Sequence, residues 1–243
     1  MTLRAVFLDV DGVLLDPART TAEWMRLMGD VLAPAVGGSP ADWGRANGAI
    51  FPTLFRDRDR WRDDDPLISD RNFDILLLTE MCRFLGHAPP DPEAARELFV
   101  EVSVYVCRRA DCAFPATIDV IRELALSYDV HLATGNPSWR MEPLLEQWGV
   151  RDLIGVAAGT DLVRVMKDSP QFHPSVFALA GVAPENAVVV DDDPEQVRRA
   201  CALGARGVWV AAGAEDRSGA GCDVADAVIS NIAELPDALR GIG

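Results

Sequence analysis

Four short segments of this chain carry side chains that can do chemistry. Asp9-Val10-Asp11-Gly12 closes the apolar run 3–10, LRAVFLDV. Thr134-Gly135-Asn136 follows the apolar stretch 130–133, Lys167 stands alone, and Asp191-Asp192-Asp193 follows 187–190. Two unit charges about 4 Å apart repel by roughly 4 kcal/mol at an effective dielectric near 20. If Asp9, Asp11, Asp191 and Asp192 gather in one place, they cannot all ionise without a counter-charge. A hard divalent cation answers this need. All-oxygen ligands select Mg2+, which takes one or two carboxylates, keeps several waters and commonly shares its shell with a substrate phosphate. The cluster thereby points to a metal and, through it, to a phosphate.

Whether these residues meet depends on the elements that carry them. The run 3–10 reads as a buried strand entering a turn at Asp11-Gly12. From about 16 to 111 no strand pattern occurs, and helices are predicted over 20–35, 40–55, 72–85 and 92–109. The last has Asp91 as N-cap and Pro92 at its first position. Between the second and third lies RDRDRWRDDD (56–65), read as a solvated loop. From 117 onward the pattern alternates. Helices are predicted at 117–127, 137–148 (with Pro143 expected to bend it), 174–180 and 194–203. Strands are predicted at 129–134, 153–158, 187–190, 207–210 and 227–229. Such alternation implies a parallel sheet covered by helices on both faces, a Rossmann-like α/β fold. Residues 1–15 and 115–243 are thus expected to form the α/β core, with 16–114 inserted as an all-helical domain. Open parallel sheets bind ligands beyond the carboxyl ends of their strands, which is where all four segments fall.

The chain has 243 residues, 49% hydrophobic and 25% charged, which is ample for a core. Its net charge of −15 and pI of about 4.5 argue against nucleic acid or anionic membranes as partners. The five cysteines (Cys82, Cys107, Cys112, Cys201, Cys222) are odd in number and scattered, so reduced thiols and a cytoplasmic location are expected. No apolar run is long enough to span a bilayer, and no signal peptide is expected ahead of the first strand. Of the 23 basic residues only Lys167 is a lysine, which draws attention to it. Nothing in the sequence speaks to oligomeric state.

The four segments in this order resemble the haloacid dehalogenase-like hydrolases. FLDVDGVLLD resembles their first motif, VHLATGN the second, VMKDSPQF the lysine of the third and VVVDDDPEQVRRA the acidic fourth. The resemblance implies that Asp9 attacks phosphorus and carries an aspartyl-phosphate, while Asp11 protonates the leaving group and then activates water. It implies that Gly12, Thr134 and the backbone N–H of Gly135 hold phosphoryl oxygens, with Lys167 neutralising them beside Asp9. It implies Mg2+ held by Asp9, Asp11 (through its carbonyl), Asp191 and Asp192. A helical insertion after the first motif resembles the type-one cap of the family, which closes over small phosphorylated metabolites. This sequence departs from the family in placing Asp168-Ser169-Pro170 after the lysine, where many relatives have proline directly. It also has Gln196 where many have Asp or Asn.

Ordinary roles account for several other residues. Asp193, with Pro194 and Gln196, fits a capping box opening a helix. His131 is expected as a core residue, His87 and His173 have no assigned role, and Trp24, Trp43 and Trp61 are expected to pack helices. The arginines of 56–62 are expected in the solvated loop, with contact to substrate as the second reading. Three rivals to a phosphatase share the scaffold: a sugar-phosphate mutase keeps every motif, a haloacid dehalogenase typically replaces the Asp11 carboxylate, and a silent binding protein would have lost one of these groups.

Overall fold

The computed structural model describes residues 3–211 and 223–242, so Cys222 lies outside the described residues. Two compact units emerge, Met1–Pro17 with Cys112–Gly243, and Ala18–Asp111. The chain starts with β1 (Ala5–Leu8), whose four residues are all buried, then leaves the sheet. Four helices follow: α1 (Pro17–Val36), α2 (Pro40–Arg56), α3 (Pro66–Leu85) and α4 (Pro92–Cys107). The chain then alternates through α5 (Thr117–Leu124), β2 (Asp129–Ala133), α6 (Ser138–Trp148), β3 (Ile154–Ala158), α7 (Thr160–Val163), α8 (Phe172–Ala180), β4 (Ala187–Asp191), α9 (Pro194–Ala202), β5 (Arg206–Val210), β6 (Ala227–Ile229) and α10 (Leu235–Ile242).

Among the described residues six strands form one parallel sheet, in the order β3-β2-β1-β4-β5-β6. Central β1 pairs on both sides, so its backbone is satisfied without water and its side chains are free to be wholly apolar. Alternate residues serve opposite faces. Ala5 and Phe7, with Ala187 and Val189, meet Phe172, Val176 and Phe177 of α8 in one cluster. Register then decides where the chemistry falls. Leu8 is level with Leu132 of β2 and Val190 of β4, so Asp9, Ala133 and Asp191 come next in one row.

Within the helical unit, α1 and α2 approach closely through glycines: a Cβ on Gly29 would stand 2.2 Å from the Pro40 carbonyl oxygen, and one on Gly44 2.3 Å from that of Met25. Trp43 is fully buried and donates to the Gly37 carbonyl, while Trp24 stacks on Phe99. The segment 56–65 is more structured than a solvated loop. Arg58–Arg60 makes a 3-10 turn, Trp61 is buried with its indole N–H on the Leu54 carbonyl, and Asp65 caps α3 by accepting from Leu67 N–H. Helix α3 therefore begins six residues before the predicted start, at a cap-plus-proline signal hidden inside the charge run.

Candidate active site

The loop after β1 is tightly wound. Leu14 and Leu15 N–H both donate to the Val10 carbonyl, and Gly12 N–H donates to that of Leu15. Gly12 has φ +78°, and a Cβ there would lie 2.2 Å from Asp192 Oδ2. Glycine is thus required twice over, for its backbone and for the approach of Asp192.

The ammonium of Lys167 lies 2.7 Å from Asp9 Oδ2 and 2.9 Å from Asp191 Oδ2. Asp9 and Asp191 are buried, and Asp192 is the exposed member of the group. One carboxylate oxygen from each of these three aspartates lies within 4.8 Å of the other two, an all-oxygen set suited to a hard cation. Burial pushes the Asp191 carboxyl upward, and the charge of Asp9 adds to this despite the ion pair with Lys167. Partial burial of its carboxyl, then the charge of Asp9, raises Asp192 to about 6. For Lys167, burial works against the charge, but Asp9 and Asp191 outweigh it and hold the ammonium above its ordinary value. A cluster in which Asp191 and Asp192 resist ionisation beside a trapped ammonium is short of positive charge. Mg2+ fits that deficit and this donor set.

Asp11 is raised by burial and by Asp9, and drawn the other way by Asn136, whose Nδ2 donates to Asp11 Oδ2 at 2.7 Å. Thr134 is buried, and its hydroxyl accepts from the Asn136 backbone N–H at 3.2 Å. Gly135 is exposed beside the stem of Lys167, 3.5 Å from where its Cβ would be. The structure therefore brings Asp9, Gly12, Asp191, Asp192 and Lys167 together, and joins Asp11 to the 134–136 loop through Asn136.

Asp193 caps α9 by accepting from Glu195 N–H at 2.9 Å, but the predicted box with Gln196 does not form. The Asp193 N–H that Gln196 was expected to engage donates instead to Asp191 Oδ1 at 3.0 Å. The helix start thus orients Asp191 rather than closing on itself. His131 is buried, stacked on Phe7, and accepts from Val156 N–H at 3.0 Å.

Sequence reasoning gave no role to Asn136, Trp209 or Arg199. Trp209 Nε1 donates to the Asp192 carbonyl at 3.0 Å, and Arg199 Nη1 to that of Asp168, next to Lys167, at 2.7 Å. Only Asn136 carried a signal, as a side-chain amide directly after Thr134-Gly135.

The family model of haloacid dehalogenase-like hydrolases matches residues 3–201, and the chain belongs to this family of hydrolases. It is 28% identical to a phosphoglycolate phosphatase from Rhodospirillum rubrum over 205 residues, 83% of this chain and 76% of that one. Among solved structures, the magnesium-bound HAD-hydrolase YfnB from Bacillus subtilis aligns with a TM-score of 0.70 at 14% identity, over 99% of this chain and 100% of that one. A 2-haloacid dehalogenase from Pseudomonas syringae pv. Tomato DC3000 aligns with a TM-score of 0.66 at 21% identity over 100% of each. The structural likenesses show a shared fold.

Proposed function

We propose that this protein is a Mg2+-dependent phosphohydrolase of a small phosphorylated metabolite, acting through an aspartyl-phosphate on Asp9. The observation that carries this reading is the Lys167 ammonium set between Asp9 and Asp191 within reach of Asp192. Asp9, Asp191 and Asp192, with the Asp11 carbonyl, would hold the cation, whose chemistry is to neutralise charge on the transferring phosphoryl group.

The chain's own groups do the rest. An Asp9 oxygen attacks phosphorus and the bond to the leaving oxygen breaks. Asp11 gives its proton to that oxygen, and the raised affinity of its carboxyl for a proton suits the donor role. Asp11 then takes a proton from the water that cleaves the acyl phosphate, releasing phosphate and restoring Asp9. Thr134, Gly12 and the Gly135 N–H orient the phosphoryl oxygens, and Lys167 balances their charge. Asn136 holds Asp11 between these steps.

The helical unit Ala18–Asp111 is proposed as the cap that selects substrate. Phosphoglycolate, named in the relative from Rhodospirillum rubrum, is a first candidate. Dehalogenation would use Asp9 but requires neither a proton from Asp11 nor a cation. The test is turnover of a set of phosphorylated metabolites, phosphoglycolate and sugar phosphates included, with Mg2+ and with chelator. Released phosphate supports the reading, and an isomerised sugar phosphate points to a mutase. Turnover of a 2-haloacid indifferent to chelation overturns it.

A further inference from the structure

We infer that Asp161, which no motif includes, is a positioning residue that holds the 134–138 loop in its working shape. The inference rests on the proposed phosphohydrolase reading and adds a residue to it. Helix α6 opens at Pro137, which makes no side-chain cap, so the first N–H of the helix needs an acceptor from elsewhere. Asp161, on α7, supplies it. Its Oδ1 accepts from Ser138 N–H and its Oδ2 from the Ser138 hydroxyl, both at 2.7 Å. A carboxylate at a helix N-terminus is also favoured by the helix dipole.

The brace continues through the backbone. Thr160 N–H reaches the Asn136 carbonyl at 3.4 Å. A Cβ on Gly159 would lie 2.3 Å from Ser138 N and 2.5 Å from Asn136 O, so the two segments are in direct contact and only glycine allows it. Asn136, fixed from behind in this way, presents its amide to Asp11 and its N–H to the Thr134 hydroxyl. Asp161 touches none of the reacting groups. It acts through Ser138 and Asn136 on the hydroxyl and the acid that the proposed mechanism requires.

The test compares wild type, Asp161→Ala and Asp161→Asn in three measurements: amide hydrogen exchange of the 134–138 segment, inhibition by orthovanadate, and kcat/KM for an aryl phosphate. Asn can still accept from Ser138 N–H and donate to its hydroxyl, whereas Ala can do neither. Asp161→Ala is expected to speed exchange in 134–138, weaken orthovanadate inhibition and lower kcat/KM by ~10–100-fold, since small misplacements of oriented groups cost rates of that order. Asp161→Asn is expected to recover most of all three, with melting temperatures close to wild type. Unchanged exchange and unchanged orthovanadate affinity in Asp161→Ala would overturn the inference, as would an Asn variant as impaired as Ala. If wild type itself hydrolyses no phosphoester, the proposed function fails, and the exchange comparison alone decides the bracing role.

Discussion

Lys167 Nζ stands 2.7 Å from Asp9 Oδ2, and the same nitrogen is 2.9 Å from Asp191 Oδ2. One ammonium therefore fixes the rotamer of the proposed nucleophile and partly offsets a second, buried carboxylate. Its removal should act on chemistry and on stability at once.

For Lys167→Ala, the expected loss in turnover is ~10²–10³, the usual effect of deleting one electrostatic donor to a transferring group. Stability should also fall, by about 3–5 kcal/mol with chelator present, because two carboxylates lose their buried partner. Mg2+ should restore part of it. Denaturant unfolding with and without Mg2+ checks this, and equal stability to wild type in chelator would refute the pairing.

Asp192 carries a pH signature. Its folded value of about 6, set by burial and by Asp9, lies above the ordinary carboxylate value. Its contribution to stability is therefore complete below about pH 4 and lost as pH rises through about 6. With chelator, wild type should lose melting temperature relative to Asp192→Asn across that window. With Mg2+ the order should reverse at neutral pH, since the cation competes with the proton for the same oxygens.

His173 shows the opposite sign. Burial, then the charge of Lys167, lowers its pKa to about 4, against the opposing pull of Gln196. The folded protein holds it neutral, so its stabilising contribution is present above about pH 6.5 and lost as pH falls toward 4. His173→Phe should flatten the acid side of the stability profile. A variant that melts in parallel with wild type from pH 7 to 4 would contradict this.

Asp11→Asn tests the acid role through the leaving group. Positioned proton transfer contributes ~10²–10⁴. In the phosphorylation step, measured in a single turnover before the water step that also uses Asp11, an alkyl phosphate, whose departing oxygen needs the proton, should slow by this range, and a nitrophenyl phosphate far less. Equal losses on the two would argue against general acid catalysis by Asp11.

The carboxyl ends of the strands were legible because the strands are central and parallel. Runs such as AVFL and AVVV must be buried on both faces, and the first polar residue after each must emerge at the rim. Local signals also served for α4, where Asp91 and Pro92 follow the uncharged stretch Ala88-Pro89-Pro90 rather than a run of charges. The same signal at Asp65-Pro66 was lost in a charge run. Four-residue α7 is too short to show a period, and its Asp161 meets Ser138 only because β2 and β3 lie side by side. The Asp193–Gln196 box failed for a related reason: a carboxylate from the preceding strand, Asp191, outcompeted the local partner.

In the proposed mechanism Asp9 is phosphorylated during turnover. Acid-quenching the protein during steady-state hydrolysis, reducing with borohydride and sequencing the peptides by mass spectrometry tests it directly. An acyl phosphate at Asp9 is reduced to the corresponding alcohol, whereas a free carboxylate is not. Homoserine is expected at position 9 with substrate and Mg2+, and none when either is omitted. An unmodified Asp9 under conditions of full turnover, or reduction at another carboxylate instead, would contradict it.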